Sequence, residues 1–553
     1  MKQLSYLKLP VLFLLYFVFA VLITWPLLLH ISTFIPIGTE RTTTIPLFGL
    51  WSLLWNTRQV TGLFQNYWNA PFFYPAGGTF AFSETMLPQG LVFALGLFIT
   101  GRPLLVYNLM LLCCLGLNGL AAFSLLRRVG ISDFPAVIAG LFAVALPYAA
   151  NEMGVCQLIV LFPIFYFFSY LYAFSRCPQL KNALLTGLWA SVLSLSCSYY
   201  GLFLSFFAFL GAVCLFDRKV FSFKAIIYLC CGIGLAVLAV MPVLIPQLMI
   251  TSGFSHGEAA THLQSCRPVD YLAFMPIIFG FHFVPWLVER GAFHPMYPGT
   301  GLLILALAGV WFGREKAPRW VLFCFLGFVL AMLLSMSGNI GFGGWNLMDF
   351  LKGFYPGFKQ LRNAFRFGVF TQIFLVCLAG FTLEKIYRLN VTRGPLLLML
   401  VFLVSIVEVL PVTRLRPVPA QTFSAAWSDF LAGQPQGPAV MIPMAKEDER
   451  VDFNYRPIVV GMIHALHHEK PLVNGFSSFR PPAYLKLKEK MQSFPDRSSL
   501  ACLCDSGVVY LVVDKHSLTP AAFSALNRQT QLALLYADDL KNIYRLECTK
   551  KGF

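Results

Sequence analysis

Two carboxylates are the only acidic residues in the first long polar segment of the chain, residues 31–103. Glu40 follows Gly38-Thr39, and Glu84 follows Phe82-Ser83. A carboxylate near a membrane surface can act as a general base toward a hydroxyl, or hold a divalent ion such as Mg²⁺ or Mn²⁺ against a phosphate. Two solvated loop acids would look the same in sequence. The pair is therefore a candidate for acid–base or metal chemistry, with a plain polar loop as the alternative.

A pair of arginines stands immediately before an apolar run near the C-terminal third of the chain. Arg362 and Arg366 are four residues apart, a spacing that puts two side chains on one face of a helix. Paired guanidinium groups are suited to bidentate recognition of a phosphate. Snorkelling toward lipid headgroups is the alternative. Because membrane proteins concentrate arginine in cytoplasmic loops and this pair falls on the other side, we favour phosphate binding.

Histidines occur in two patterns that could concern a metal. His256 and His262 are six residues apart, which places them on different faces of a helix, and they do not form an HExxH zinc motif. His464, His467 and His468 have a spacing that one helix face could use, although isolated surface histidines are more common. The identity of any bound metal therefore stays open, and His256 and His262 are kept as candidates for lining a substrate groove.

Polar residues also interrupt the apolar runs. Asn151, Glu152 and Gln157 lie at the outer end of a predicted helical hairpin, and Tyr199 and Tyr200 break a long apolar stretch at the same level. Polar groups inside a membrane commonly mark functional sites, although the hairpin residues should lie at the interface. Asn151, Gln157, Tyr199 and Tyr200 are further candidates for lining a groove.

The composition decides which elements must position these residues. Of the 553 residues, 58% are apolar and 12% are charged, and the mean hydropathy is +0.70. Soluble domains are about half apolar and about a quarter charged, so the chain is predicted to be an integral membrane protein. Most of the net charge of +16 falls within residues 1–412. Basic residues there set the membrane topology, and we exclude nucleic acid as a partner.

A spanning helix needs about 20 mostly apolar residues. Such runs occur near 9–30, 104–126, 134–150, 155–175, 182–198, 200–216, 224–250, 297–313, 320–337, 366–387 and 395–412. The basic clusters between them fall in alternate loops, which predicts eleven spans with the N-terminus in the cytoplasm and the C-terminus outside. Leu91–Thr100 covers only about half a bilayer and is predicted to be re-entrant or interfacial.

This topology predicts a mostly α-helical fold, a polytopic bundle over residues 1–412 with a large outer loop at 31–103. The tail, 413–553, is predicted to form an extracytoplasmic α/β domain. Its strand-like runs are Ala439–Pro443, Val508–Asp514 and Asn542–Leu546. A disulfide among Cys502, Cys504 and Cys548 is possible without being established by the sequence.

The arrangement resembles the GT-C class of membrane glycosyltransferases, and more narrowly a bacterial multi-spanning branch related to protein mannosyltransferases and lipid A arabinosyltransferases. The resemblance is carried by Gly38-Thr39-Glu40 with Trp51 and Trp55, Phe73-Tyr74-Pro75, Phe82-Ser83-Glu84, Ser198–Phe203, Phe354–Phe358 through Arg362 to Arg366, Lys470–Ser477, Pro481-Pro482 and Gly507–Val513.

The resemblance implies an enzyme of the bacterial inner membrane that transfers a sugar with inversion. The donor would be a polyprenyl-phosphate-linked sugar, and the acceptor an extracytoplasmic glycan, lipid or protein. Glu40 would act as general base with Glu84 as the second acidic candidate, and Arg362 and Arg366 would hold the donor phosphate. Tyr199 and Tyr200 would line the groove for the lipid or sugar.

Two other functions fit the same architecture. A flippase or transporter of a lipid-linked saccharide would also bind a polyprenyl phosphate, although the sequence has no obvious inverted repeat of broken helices. A non-catalytic membrane scaffold could use the outer domain to bind a partner. Formation of a glycosidic bond separates the enzyme from both.

Overall fold

The computed structural model describes residues 8–253, 264–272, 296–343, 345–355, 357–389, 392–410, 412–444 and 451–548. His256 and His262 lie outside the described residues. The chain divides into two compact units. The first comprises Met1–Ile31, Tyr107–Pro246 and Ser252–Leu415, and the second comprises Ser32–Val106, Gln247–Thr251 and Arg416–Phe553.

Most of the described chain is helical. The helices are α1 (Lys8–Ile23), α2 (Thr44–Thr61), α3 (Leu87–Thr100), α4 (Pro103–Val129), α5 (Asp133–Val144), α6 (Pro147–Asn151), α7 (Phe162–Arg176), α8 (Leu180–Ser196), α9 (Ser198–Leu215), α10 (Phe223–Thr251), α11 (Thr300–Gly313), α12 (Pro318–Ser335), α13 (Leu347–Phe354), α14 (Gly368–Leu389), α15 (Gly394–Val407), α16 (Ala426–Ala432), α17 (Val451–His468), α18 (Pro482–Lys490), α19 (Arg497–Asp505) and α20 (Pro520–Asn527).

A helix overlaps each of the eleven predicted apolar runs, because a segment in hydrocarbon must satisfy its backbone hydrogen bonds internally. Within the described residues, seven helical segments are long and apolar enough to cross a membrane. They are Pro103–Val129, Asp133–Asn151, Cys156–Arg176, Ser198–Leu215, Phe223–Thr251, Pro318–Ser335 and Ala364–Leu389. These segments confirm the prediction of a helical integral membrane protein, while the exact number of spans stays a prediction.

The first unit packs around α14, which is buried along most of its length. Glycines allow helix backbones to approach closely at its surface. A Cβ at Gly309 of α11 would lie 2.0 Å from the carbonyl oxygen of Leu378, a distance that real Cβ atoms do not show. Close contacts between small residues are typical of helix packing in membranes, where no water-driven force brings helices together.

The second unit combines helices with a four-stranded sheet. Its strands are β5 (Ala439–Ile442), β6 (Tyr510–Asp514), β7 (Leu532–Ala537) and β8 (Lys541–Leu546), in the order β5-β6-β8-β7. The β5–β6 pair is parallel and the other two pairs are antiparallel. The shorter strands of the chain are β1 (Phe34–Pro36), β2 (Gly341–Phe342), β3 (Trp345–Asn346) and β4 (Leu415–Pro417).

Residues 31–103 were predicted to form an outer loop of the membrane domain, and in the structure residues 32–106 fold with residues 416–553. Trp51 of α2 is fully buried, and its indole N–H donates to the carbonyl of Met462 in α17 at 3.0 Å. Its ring also packs edge-on against Phe72 and lies parallel to Trp55. A disulfide joins Cys504 to Cys548 in the same unit.

The short apolar segment predicted at Leu91–Thr100 is a helix that begins at Leu87. Phe93 and Ala94 on one face are buried. The opposite face exposes Leu91, Val92, Leu95, Phe98 and Ile99. Such an apolar face fits an interfacial segment, and its placement in a bilayer stays a prediction.

Candidate functional site

The helical structure of the first unit is interrupted between α5 and α7, and this interruption carries Glu152. After α5, the chain forms the single-turn helix α6 and a short 3₁₀ helix at Cys156–Ile159, and resumes as α7 at Phe162. Such a break inside a membrane is stable only where other groups satisfy the freed backbone. The segment 145–161 is therefore expected to depend on polar side chains from neighbouring helices.

Two fully buried amides satisfy this backbone. The Asn118 Oδ1 accepts hydrogen bonds from the amides of Leu161 and Phe162 at 3.0 and 2.7 Å, and its Nδ2 donates to the carbonyl of Ile159 at 2.9 Å. The Gln372 Oε1 accepts from the amide of Tyr148 at 3.1 Å. Asn118 lies on α4 and Gln372 on α14, so the interrupted segment is held from both helices.

Glu152 directly follows α6 on this segment, with its amide bonded to the carbonyl of Tyr148 at 2.9 Å. The side chain is only partly accessible. Burial raises the pKa of Glu152 to about 7, although the positive charge of Arg366 acts in the opposite direction. Burial therefore favours the neutral form of this carboxyl group more than the charge of Arg366 favours the ionised form.

Arg366 lies in the 3₁₀ turn Ala364–Phe367, directly before α14. Its Cζ is 4.5 Å from the centroid of the Tyr199 ring, within the range of a cation–π contact. Its Nε is buried and, within the described residues, has no hydrogen-bond partner. The same holds for the Nε of Arg362 and the Oδ1 of Asn363. Arg362, Asn363 and Arg366 therefore each have a buried polar atom that is open to a hydrogen bond with a ligand or with water.

The predicted shared helix face of Arg362 and Arg366 is wrong, because Arg362 lies in non-helical chain before the 3₁₀ turn. The amide of Phe365 donates to the carbonyl of Gln264 at 3.0 Å. That amide is consequently not used for the α-helical bond to residue 361, and the helix starts later than the residue spacing implied.

The two tyrosines at the start of α9 occupy different positions. The Arg366 guanidinium lies over the ring of Tyr199. Tyr200 is fully buried, and its hydroxyl donates to the carbonyl of Leu158 at 2.8 Å and lies 3.2 Å from the hydroxyl of Tyr148. Tyr200 therefore holds the interrupted segment in place, and the preceding residue, Tyr199, contacts Arg366.

Asn151 ends α6, and Gln157 lies in the following 3₁₀ helix, both partly accessible. They share the interrupted segment with Glu152. Glu152 was predicted to be a polar residue of the same hairpin, without being assigned to the groove. The available signal is that Glu152 is the only acidic residue between Asp133 and Asp217, within a long apolar region where a charge is costly.

In the second unit, Glu40 follows a turn between β1 and α2. Gly38 has a φ of +54°, a left-handed conformation that a side chain disfavours, and the amide of Glu40 donates to the carbonyl of Ile37 at 2.9 Å. Glu40 is partly accessible and its neighbour Arg41 is exposed. The turn therefore presents the carboxylate of Glu40 from an ordered loop.

Glu84 lies in a loop whose backbone is held on both sides. The Gln247 Nε2 donates to the carbonyl of Ser83 at 2.8 Å, and the Asn56 Nδ2 donates to that of Thr85 at 2.8 Å. The Ser477 Oγ donates to the carbonyl of Phe82 at 2.8 Å. These bonds restrict the position of the backbone at Glu84. The residue is partly accessible.

The described residues contain no group of three or more His, Cys, Asp or Glu side chains that could hold a metal ion. The tail histidines have other partners. His464 bonds to the carbonyl of Gln421 and His467 to Asp429, while the Nδ1 of His468 accepts from the amide of Lys470. A three-ligand Mg²⁺ or Mn²⁺ centre therefore does not fit the described side chains.

Comparison with known proteins places this geometry in a known fold. The arabinofuranosyltransferase AftD from Mycobacteria has a TM-score of 0.66 and 14% identity, over 99% of this chain and 40% of that chain. A variant of that enzyme gives 0.62 and 13% identity, over 99% and 42%. The oligosaccharyltransferase AglB from Archaeoglobus fulgidus, in complex with an inhibitory peptide and a dolichol-phosphate, gives 0.49 and 11% identity, over 92% and 70%. The last score is too low to establish a shared fold.

No family model matches the sequence, and no curated protein matches it at a significant level. The chain shares the fold of that arabinofuranosyltransferase, and this confirms the predicted GT-C resemblance at the level of fold. It spans about 40% of the length of the arabinofuranosyltransferase.

Proposed function

We propose that this protein is a membrane glycosyltransferase that transfers a sugar from a polyprenyl-phosphate-linked donor to an extracytoplasmic glycan, lipid or protein acceptor, with inversion. The proposal rests on three buried polar atoms of the first unit, the Nε of Arg362, the Oδ1 of Asn363 and the Nε of Arg366, which have no hydrogen-bond partner among the described residues. A partly buried guanidinium needs an anionic partner, and a phosphate offers several acceptor oxygens. The fold of an arabinofuranosyltransferase supports the reaction class.

Arg366 is suited to the phosphate because the Tyr199 ring orients its guanidinium plane. A planar, oriented guanidinium can give two parallel hydrogen bonds to phosphate oxygens. When the bond between the anomeric carbon and the phosphate oxygen breaks, the electron pair goes to the phosphate. Arg366 and Arg362 then stabilise the negative charge of the leaving polyprenyl phosphate.

Glu40 is the proposed general base, as the resemblance implies. Its carboxylate would take the proton from an acceptor hydroxyl while the hydroxyl oxygen forms the new bond to the anomeric carbon. Attack from the face opposite the phosphate gives inversion. Glu84 is the second acidic candidate, since it lies in a backbone-restrained loop of the same unit.

The disulfide between Cys504 and Cys548 supports an extracytoplasmic second unit. Disulfides persist in oxidising compartments and are rare in the cytosol. A bacterial inner membrane with the C-terminal segment outside places the acceptor where nucleotide sugars are absent. A lipid-linked sugar is then the accessible donor.

The test is a transfer assay with the full chain in nanodiscs, using radiolabelled polyprenyl-phosphate-linked pentoses and hexoses and extracted cell-envelope acceptors. Glu40→Gln should lower the transfer rate about 100-fold or more, since a general base contributes about 10²–10⁴. Its affinity for the donor should be unchanged. Glu489→Gln, the same substitution at an exposed position of the same unit, is the matched control.

Arg366→Gln should weaken donor binding about 10-fold or more, because hydrogen bonds to charged groups contribute about 1.5–3 kcal/mol. Arg176→Gln at an exposed position is the control. Near-normal transfer by Glu40→Gln contradicts the assigned base. Movement of a lipid-linked sugar across vesicles without formation of a glycosidic bond supports a flippase instead.

A further inference from the structure

The loop that follows α2 in the second unit contains a run of strained backbone. We call residues 62–69 the aromatic loop. In it, Leu63, Phe64 and Asn66 have φ values of +51°, +58° and +57°, a left-handed conformation that residues such as leucine and phenylalanine rarely adopt. Backbone strain persists only where surrounding contacts fix it, and it is common in segments that hold a ligand. The aromatic loop is therefore a candidate binding segment.

Hydrogen bonds to α2 restrict the conformation of the aromatic loop. The amide of Phe64 donates to the carbonyl of Gln59 at 2.8 Å, and the indole N–H of Trp55 donates to the carbonyl of Tyr67 at 3.1 Å. The hydroxyl of Tyr67 donates to the Oδ1 of Asn56 at 3.0 Å. The loop thus has a defined backbone, although most of its residues are exposed.

Three rings of the aromatic loop contact one another in sequence. The centroid of the Tyr67 ring lies 5.6 Å from that of Phe64 and 5.1 Å from that of Trp68. The fully buried ring of Phe80 contacts Tyr67 and Trp68 at centroid distances of 5.1 and 6.4 Å. Phe64 is exposed, and Tyr67 and Trp68 are partly accessible. A buried ring therefore supports an aromatic surface that a ligand can reach.

Amide side chains lie among these rings in the sequence. Gln65, Asn66 and Asn69 are all exposed. No Asp, Glu, Lys, Arg or His occurs between Arg58 and Glu84. The aromatic loop consequently offers aromatic rings and neutral hydrogen-bonding groups without a charge.

A neutral saccharide matches this combination of groups. The C–H faces of a sugar ring pack on aromatic rings, and amide groups can both donate to and accept from sugar hydroxyls. A phosphorylated ligand or a nucleic acid would require cationic side chains. Segments that bind a membrane surface commonly carry lysine or arginine on their polar face. The absence of charge from the aromatic loop therefore favours the saccharide.

We propose that the aromatic loop binds a neutral oligosaccharide, which is the glycan chain of the acceptor. The rings of Phe64, Tyr67 and Trp68 pack against the faces of the sugars, and the amides of Gln65 and Asn66 bond to their hydroxyls. The inference rests on the proposed function, because it selects a glycan among the acceptor classes named there. No covalent bond changes at this site.

The experiment measures binding of neutral oligosaccharides to the full chain in nanodiscs, with tryptophan replaced by 5-fluorotryptophan and followed by ¹⁹F NMR. The probes are arabinan, mannan, galactan and glucan oligosaccharides of increasing length. At least one series should shift the Trp68 resonance, with an affinity that rises with chain length. Trp68→Phe identifies this resonance, because the substitution removes it.

Saturation-transfer NMR then gives the affinity of each variant for the same oligosaccharides. Trp68→Ala should weaken binding about tenfold, because a ring contact and its buried apolar area are lost. Gln65→Ala should weaken it about threefold, as expected for one hydrogen bond. Trp311→Ala removes an exposed tryptophan of the first unit and is the matched control, which should bind as the wild type does.

A Trp68 resonance that none of the probes shifts overturns the inference, even if Trp68→Ala does not fold. Broadening of that resonance by spin-labelled phospholipid, without a shift by any probe, identifies a membrane contact and also overturns it. Equal weakening by Trp68→Ala and Trp311→Ala does so as well.

The transfer assay is a separate readout. Gln65→Ala should raise the KM for long acceptors and leave kcat unchanged, whereas a lower kcat with an unchanged KM contradicts a binding role. Oligosaccharide binding without transfer supports the saccharide site and contradicts the glycosyltransferase. Transfer without oligosaccharide binding leaves the enzyme and removes the role of the aromatic loop.

Discussion

Replacing Asn118 by leucine tests whether the interrupted segment depends on this one amide. The substitution keeps the side chain close in size while removing three hydrogen bonds, two accepted from Leu161 and Phe162 and one donated to Ile159. All three partners are backbone groups at the end of the break. Asn118 is fully buried, so water does not easily replace the lost bonds.

The expected loss follows from the number of bonds. A net value of about 1 kcal/mol per hydrogen bond gives about 3 kcal/mol. Measured values between membrane helices average about 0.6 kcal/mol, which gives about 2 kcal/mol, and groups left buried without a partner raise the figure. We therefore expect Asn118→Leu to lower the free energy of unfolding by about 2–4 kcal/mol.

The assay is reversible unfolding of the full chain in mixed micelles, with amide exchange followed at residues 146–161. Exchange at Leu161 and Phe162 should rise strongly. Thr186→Val is the control, because its hydroxyl donates to the carbonyl of Asn182 within the same helix, and that carbonyl remains in the helical bonding pattern. A loss for Asn118→Leu no larger than for Thr186→Val, or unchanged exchange, would refute the reasoning.

Two further outcomes are expected in the second unit. Cys548→Ser should lower the unfolding free energy of this unit by up to about 4 kcal/mol, since the Cys504–Cys548 disulfide closes a loop with a sequence separation of 44. Chemical denaturation measures this loss. The control is Cys502→Ser, which replaces a free cysteine and should leave the unfolding free energy unchanged. Burial lowers the pKa of His464 to about 4 and of His468 to about 3. The unfolded chain therefore binds more protons, so stability is complete above about pH 6.5 and falls as the pH drops toward 4. His468→Gln, which keeps an acceptor for the Lys470 amide, should reduce this slope in denaturation at pH 7.5, 6 and 5, and an unchanged slope would contradict it.

Much of the second unit follows from local pattern, with clear exceptions. The strands near Ala439, Val508 and Asn542 were predicted within a few residues, because short apolar runs between turn residues mark buried strands. Strand β7, at Leu532–Ala537, was not predicted. It lies at the edge of the sheet and pairs only with β8, and half-exposed edge strands have a weak sequence signal.

The arginine pair shows how a correct choice of residues can accompany a wrong geometry. The types and spacing of Arg362 and Arg366 predicted one helix face. In the structure, the amide of Phe365 donates to the carbonyl of Gln264 and not to that of residue 361, so the backbone there is not α-helical. A bond to a residue so distant in the chain has no signature in local spacing.

The sequence by itself determined the membrane character and the positions of the apolar helices. A run of about 20 apolar residues has one stable conformation in hydrocarbon, whatever its neighbours are. It also identified Arg366 and Tyr199 as candidates by residue type. Only the tertiary structure placed the guanidinium over that ring. Helix packing decides such contacts, and the buried amides of Asn118 and Gln372, on two different helices, hold the interrupted segment in place.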